Sequence, residues 1–346
     1  MAKVKVAVLG TGSLGQHHAR IYSELHAAGQ VELTGIFDAH AETARKIAEK
    51  HQLKVFGSVA EAAAASDALN VVTPTTTHFE IAKFLLEQGK HVLVEKPMTD
   101  DSAQAAQLCE LALKQNCLLQ VGHVERFNPA FQFLESVATE PKFIECHRLS
   151  PYPARSMDIG VVLDLMIHDL DLVLAFVKSP VASIDAVGIS VLSKTEDIAN
   201  ARLRFVNGCI ANLTVSRISR KRMREIRVFS GPNNPCYISL DYRLQEGFIY
   251  RVAKEGEEET PLLKKILAAK LGVGNIVSEF GGKKIVREPV PIAKDEPLKL
   301  ELQSFIDCVR EKQVPVVSGE SARRALDLAF EITRQVQSLN GGGLHF

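Results

Sequence analysis

The stretch KVKVAVLGTGSLGQHHARIYSELHAAGQVELTGIFD, Lys3–Asp38, decides how the chain is read. Lys3–Leu9 form a β-rich apolar run that stops at Gly10-Thr11-Gly12-Ser13-Leu14-Gly15. Gln16–Ala28 follow with helical spacing, and Val31–Phe37 make a second apolar run that closes on Asp38. Strand, glycine turn, helix and strand in that order form a βαβ crossover, which is parallel and right-handed. In such a turn Gly10 allows the sharp reversal, Gly12 lets the backbone approach a pyrophosphate, and Gly15 lets the helix pack closely. The helix N-terminus adds N–H groups and the positive end of its dipole, so residues Gly10, Thr11, Gly12, Ser13, Leu14 and Gly15 are read as a dinucleotide cradle. Asp38 lies 23 residues past Gly15, where a carboxylate accepts hydrogen bonds from ribose hydroxyls and repels a 2′-phosphate. Ala39-His40-Ala41-Glu42 offers no Arg or Lys to hold that phosphate, so NAD is expected rather than NADP.

Outward from this unit the alternation continues. A helix is expected over Glu42–His51, a strand over Ala68–Thr73, a helix over His78–Gln88, a strand over His91–Glu95, a helix over Ser102–Asn116 and a strand over Leu118–Gly122. That rhythm predicts an α/β N-terminal Rossmann domain, a doubly wound parallel sheet, over residues 1–127. After Phe127 the rhythm stops: Asn128 can cap a helix with Pro129 at its first position, and residues 128–346 read as an α+β domain with a large, mostly antiparallel sheet. Its strands are expected over 143–150, 184–192, 201–206, 209–216, 226–230, 237–242 and 248–252. Asn207-Gly208 suggests a type I′ hairpin, and amphipathic helices are expected over 298–312 and 320–339.

Composition excludes several functions. In 346 residues Lys plus Arg and Asp plus Glu are both 41, so no global field would attract nucleic acid or an anionic membrane. The six cysteines lie apart, with no metal-ligand spacing, and read as reduced thiols. The N-terminal apolar run is too short for a signal core or a membrane span, and a cytoplasmic location is expected.

Two places carry chemistry. Glu95-Lys96-Pro97 ends a strand at the carboxyl edge of the sheet, where open α/β folds bind ligands, and the proline makes a cis bond or rigid turn plausible. Gly160–Val177, GVVLDLMIHDLDLVLAFV, is apolar nearly all round and reads as a buried helix. On it Asp164, His168 and Asp171 fall at i, i+4 and i+7 in one polar stripe. Such a stripe is either a satisfied core network or a site. Oxidation of an alcohol needs a base for the hydroxyl proton while hydride leaves the carbon. His168 oriented by Asp164 can serve, with Lys96 hydrogen-bonded to the developing alkoxide.

These motifs together resemble the Gfo/Idh/MocA family of sugar dehydrogenases, along almost the whole chain. The likeness is carried by GTGSLG with Asp38, by VVTPTTTHFEIAKFLLEQGKHVLVEKPMT (Val71–Thr99), by VGHVERFNPAF (Val121–Phe131) and by Asp164–His168. It implies that Lys96 and His168 are the catalytic pair, with Asp164 beside them. It also implies that Thr73, Pro74 and His78 line the nicotinamide side and that the C-terminal sheet builds homodimers or homotetramers; Thr75, Glu95 and Lys96 are taken with them as cofactor-binding residues. Val161-Val162, where many members have two glycines, and Met166 depart from the pattern. A narrower likeness, through HRLSPYPAR, LDLMIHDLDLVL and the segment DIANARLRF to TVSRIS, is to the branch that oxidises nucleotide sugars, UDP-N-acetylglucosamine in particular, to 3-oxo products used by an aminotransferase for 3-amino-sugar lipid A. Another nucleotide sugar, a free sugar or an inositol are alternative substrates, and a catalytically silent NAD-binding regulator is an alternative role.

A nucleotide sugar brings a diphosphate and a base to be held. Arg148 and Arg155 flank Tyr152 and offer guanidinium forks and a ring; Arg126, Asn128 and Arg217 complete the expected substrate contacts. Arg217–Arg227 holds six Lys or Arg in eleven residues and otherwise reads as solvated surface. Lys264–Lys284, basic at its ends and apolar between, reads as a loop or oligomer contact in preference to a membrane-surface segment.

Overall fold

The computed structural model describes residues 3–138, 140–152, 159–231, 233, 235–253 and 275–340, with no account of the side chains of 275–280 and 339–340. The chain forms two compact units, Met1–Phe127 with Glu296–Asp327, and Asn128–Asp295 with Leu328–Phe346.

The first unit holds β1 (Lys5–Leu9), α1 (Gly15–Ala27), β2 (Glu32–Phe37), α2 (Ala41–His51), α3 (Val59–Ala65), β3 (Ala68–Val71), α4 (His78–Glu87), β4 (His91–Glu95), α5 (Ser102–Lys114) and β5 (Leu119–Gly122). Its five strands are all parallel in the order β2-β1-β3-β4-β5. The order reverses between β1 and β3, and ligands of open α/β sheets bind at the carboxyl ends of the strands at such a switch. Val6, Ala7, Val8 and Leu9 of β1 are wholly buried, as expected of a parallel strand covered on both faces. α3 was not expected, although Ser58-Val59-Ala60-Glu61 carries its signature. Ser58 Oγ accepts from the Glu61 N–H at 3.1 Å and Glu61 Oε2 accepts from the Gly57 N–H at 2.8 Å, a variant of the capping box.

The second unit contains α6 (Pro129–Val137), β6 (Pro141–Leu149), a π-turn (Val162–Met166) running into α7 (Ile167–Val177), β7 (Val181–Ile189), β8 (Ile198–Phe205), β9 (Ile210–Ser216), β10 (Met223–Ser230), β11 (Cys236–Asp241), β12 (Glu246–Val252), β13 (Asn275–Phe280) and β14 (Lys283–Pro289). The nine strands form one sheet, β13-β14-β12-β11-β10-β6-β9-β8-β7, antiparallel except for the β6–β9 pair. The mostly antiparallel sheet is as expected; three details are corrected. The β8–β9 connection is not type I′: only Gly208 has positive φ (81°), and the Gly208 N–H bonds the Phe205 carbonyl, giving a three-residue loop closed by a glycine bulge. Of the segment Lys264–Lys284, residues 264–274 lie outside the described residues. Its remainder is β13, a turn at Gly281 and Gly282 with φ of 57° and 75°, and the start of β14. Two positive φ values in sequence make this the primed turn that a hairpin favours, so the segment ends in sheet rather than loop.

The third correction concerns the expected continuous 128–346 domain. α8 (Pro297–Glu311) returns to the first unit, where Leu302, Phe305 and Ile306 join a core with Val6, Val8, Ile21, Tyr22 and Leu25. α9 (Gly319–Asn340) begins in the first unit and ends in the second. No helix among the described residues is long and apolar enough to cross a membrane.

Candidate active site

The glycine turn sits at the switch between β1 and β3. Gly10 has φ +88°, and a Cβ there would lie 2.4 Å from the Val72 carbonyl oxygen; a Cβ at Gly15 would lie 1.9 Å from the Gly10 carbonyl oxygen. Both positions admit only glycine. Around Gly12 no atom would lie within 4 Å of an added Cβ, so the backbone there is open to a ligand, and Leu14 at the start of α1 supplies no side-chain cap. Thr11 is buried, while Gly12, Ser13 and Leu14 are exposed. Asp38 closes the loop: its Oδ2 accepts from Thr11 N–H at 2.7 Å and Thr11 Oγ1 at 3.0 Å, and its Oδ1 accepts from His40 N–H at 2.9 Å. An open glycine backbone, an uncapped helix start and a half-buried carboxylate at the end of β2 fit the pyrophosphate and ribose of NAD. Replacing Asp38 with Asn should shift the kcat/KM ratio toward NADP by at least ~10-fold, because juxtaposed like charges cost several kcal/mol and 1.4 kcal/mol is tenfold. Initial rates with both cofactors measure it, and an unchanged ratio would remove Asp38 from cofactor choice.

The other cofactor-side residues occupy the ends of β3 and β4. Thr73 and Thr75 are half-buried, and Thr77 Oγ1 donates to Thr73 Oγ1 at 2.8 Å. Pro74 is exposed. Lys96 is half-buried and its bond to Pro97 is cis. His78 and Glu95 are buried. His78, expected to line the nicotinamide, is 1% exposed, with Nδ1 2.9 Å from the Pro97 carbonyl oxygen and Nε2 2.8 Å from the Thr73 carbonyl oxygen. Glu95 is 7% exposed and faces His18 Nε2 at 3.1 Å. Both turn inward because buried polar atoms require partners and the neighbouring loops and α1 provide them. His18, Asn70 and Tyr22, which complete this network, were not singled out in the sequence. Burial pushes the Tyr22 phenol up, so it remains a hydrogen-bond donor.

In the second unit Asp164 and His168 are half-buried and Asp171 is buried. Asp164 lies in the π-turn, whose i→i+5 bonding inserts an extra residue, so the i, i+4, i+7 arithmetic of a uniform α-helix does not hold across it. π-turns recur at functional sites. Glu196, also missed from sequence, holds this turn: its Oε1 accepts from the Val162 N–H at 3.1 Å and its carbonyl from the Val161 N–H at 3.2 Å. A carboxylate at a helix start is favoured by the dipole. Gly160 lies against it, since an added Cβ would fall 1.9 Å from Glu196 Oε1. Replacing Gly160 with Ala should therefore destabilise the protein by about 1–3 kcal/mol through overpacking and lower kcat with it. Urea unfolding and steady-state rates check this, and a silent Ala would mean that Glu196 moves away freely.

The expected substrate side chains divide. Tyr152 is 39% exposed, and Arg155 lies outside the described residues. Arg126 is half-buried and its Nη2 donates to the Val316 carbonyl at 3.4 Å. Three make contacts within the fold. Asn128 caps α6, Oδ1 accepting from the Ala130 N–H at 3.0 Å while Nδ2 donates to the Tyr242 carbonyl at 3.0 Å. Arg148 is 4% exposed and forks onto Asp169, with Nη2–Oδ1 at 2.8 Å and Nε–Oδ2 at 3.1 Å. Arg217 is 1% exposed and forms a 2.8 Å ion pair with Asp197. A buried guanidinium is tolerated only when paired, and these partners lie 21 and 20 residues away in sequence.

Comparison with known proteins agrees with this architecture. A family model described as an oxidoreductase family with an NAD-binding Rossmann fold matches residues 4–123, and a Gfo/Idh/MocA C-terminal domain model matches residues 139–230. UDP-N-acetylglucosamine 3-dehydrogenase of Acidithiobacillus ferrooxidans is 32% identical over 98% of this chain and 99% of its own. The crystal structure of that enzyme superposes with a TM-score of 0.83 at 31% identity, over 98% of this chain and 99% of that one. The scyllo-inositol 2-dehydrogenase (NAD(+)) of Bacillus subtilis is 24% identical over 97% of this chain and 95% of its own. With both of its domains matched in order and a relative similar from end to end, the chain belongs to the Gfo/Idh/MocA family of NAD-binding oxidoreductases.

Proposed function

We propose that this NAD-dependent oxidoreductase oxidises the C3 hydroxyl of UDP-N-acetylglucosamine to the 3-oxo nucleotide sugar. The observation that carries the reading is 32% identity along essentially the full length of a UDP-N-acetylglucosamine 3-dehydrogenase. Bound NAD supplies the hydride acceptor. The chain supplies proton handling: of Lys96 and His168, one accepts the hydroxyl proton and the other donates a hydrogen bond to the same oxygen, with Asp164 orienting the imidazole. Tyr152 and Arg126 are proposed to contact the substrate; Arg148, Asn128 and Arg217 support the fold. The product is a ketone, the substrate form an aminotransferase needs to install a 3-amino group. The presence of Lys96, Asp164 and His168 together argues against a silent regulator.

A second reading, oxidation of an inositol, is favoured by inositol dehydrogenases that also match nearly the whole chain at 24% and 25% identity. One experiment separates the two. The purified protein is mixed with NAD and UDP-N-acetylglucosamine, or with NAD and inositols, in the presence of a carbonyl trap, following NADH absorbance and product mass. A trapped UDP-sugar ketone supports the first reading. NADH formed only with inositols replaces it with the second.

A further inference from the structure

The turn that carries Lys96 is gripped on both sides by buried histidines from different helices. On its N-terminal side the Glu95 carboxylate faces His18 of α1 through Oε1 at 3.1 Å and accepts the Lys96 backbone N–H through Oε2 at 3.3 Å. It lies over Gly122, where an added Cβ would stand 2.6 Å from the carboxyl carbon. His18 is itself oriented. Tyr22 donates to Asn70 Oδ1 at 3.1 Å, which leaves the Asn70 amide nitrogen to donate to His18 Nδ1 at 3.0 Å. Nδ1 is therefore an acceptor, and the ring hydrogen sits on Nε2, aimed at Glu95. On the C-terminal side, His78 of α4 lies between the carbonyl oxygens of Pro97 and Thr73, at 2.9 and 2.8 Å from Nδ1 and Nε2; a neutral ring carries one N–H, and the brace requires it on Nδ1, toward Pro97.

His18 and Asn70 are 0% exposed and His78 is 1% exposed. Apolar side chains of similar volume would fill this space without the cost of desolvating polar groups, so the network has to be explained by what it fixes. We infer that His18 and His78 are positioning residues that lock the backbone on either side of Lys96, so that its long side chain leaves the sheet edge in one direction. The inference rests on the reading of Lys96 as a catalytic residue. A displacement of about 1 Å at a reacting group costs up to ~100-fold in rate, so a loose turn would be felt in kcat.

The geometry gives opposite rank orders at the two positions. A Gln amide reaches about as far as ring Nε2 and an Asn amide about as far as Nδ1. At His18 the partner that matters, Glu95, is at Nε2, so kcat should fall in the order wild type, His18→Gln, then His18→Asn and His18→Leu. At His78 the Pro97 carbonyl is at Nδ1, so His78→Asn should retain more activity than His78→Gln or His78→Leu. The Leu variants should lose about 10- to 100-fold in kcat with KM for NAD little changed. The deuterium isotope effect at the oxidised carbon should rise as hydride transfer becomes limiting, which a mere loss of folded enzyme would not produce. The same rank order at both sites, or an unchanged isotope effect, overturns the inference. A wrong substrate shows in the wild type, whereas a wrong brace shows only in the variants. Hydrogen exchange of a peptide spanning Glu95–Thr99 needs no substrate: faster exchange in His18→Leu and His78→Leu supports the brace, and unchanged protection overturns it.

Discussion

Replacing Lys96 with Met should lower kcat about 10³-fold while leaving NAD binding almost intact, a loss within the range of a general acid–base group or an oxyanion donor. Methionine keeps most of the stem volume and removes the charge and its donors, so packing at this half-buried position changes little. The contacts that shape the turn are made by the Lys96 backbone N–H, the Pro97 carbonyl and the Glu95 carboxylate, none of which is altered. Steady-state rates together with calorimetric titration of NAD test it. Turnover near wild type would end the catalytic assignment of Lys96, and loss of NAD affinity in proportion to kcat would make it a cofactor ligand instead. His168→Ala should fall by a similar factor, and the double variant should be little worse than either single one, because groups that act as a unit are not additive.

What could be read from the sequence was what is local. Lys5–Leu9, the glycine turn and Gly15–Ala27 lie within one βαβ unit, so period and punctuation placed them almost to the residue. The capping box at Ser58 is equally local, but the helix it opens, α3, has only seven residues, too few to show a helical period. Partners far apart in sequence were out of reach. His18 meets Glu95 across 77 residues, and Glu196 meets Val162 across 34. A helix such as Pro297–Glu311 shows an apolar face without showing which unit will cover it, so its return to the first unit could only be seen in the fold. The arginines misled for a related reason: Arg148 and Arg217 offer the donors that a diphosphate would need, and the same donors satisfy Asp169 and Asp197.

Arg148, Asn128 and Arg217 are held by contacts within the fold, and Lys96, Asp164 and His168 are the proposed catalytic residues. Two of the three have a buried support: Glu95 with its histidine beside Lys96, and Glu196 at the start of the turn that carries Asp164. Polar groups that are buried and fully paired make one arrangement rigid, which is what a reacting group held to a fraction of an ångström requires.

The largest effect on stability is expected at Arg217. Its Nε pairs with Asp197 Oδ1 at 2.8 Å, and its other nitrogens donate to the Ile159 carbonyl at 2.8 Å, Ser193 Oγ at 2.7 Å and Thr195 Oγ1 at 2.9 Å. Replacing it with Met leaves the carboxylate buried without its cation and should cost about 3–5 kcal/mol. Acid should act on the same pair. Burial alone would raise the Asp197 carboxyl, but the Leu192 N–H, the Arg217 guanidinium, the Ser193 hydroxyl and the Val191 N–H outweigh it and hold the group below the ordinary carboxylate range. Because the folded value lies below the unfolded value of about 3.9, this stabilisation is complete above that pH and is lost as pH falls toward the folded value. Urea unfolding at neutral pH and near pH 3 reads both effects. Arg217→Met should unfold at much lower urea at neutral pH, and its acid loss should begin at higher pH than in the wild type, since the cation that held the carboxyl down is gone. A neutral-pH cost under about 1 kcal/mol would mean that the pair behaves as a solvated one. Activity should decline alongside stability, because Asp197 follows Glu196 directly, and Glu196 holds the first N–H of the turn that positions Asp164.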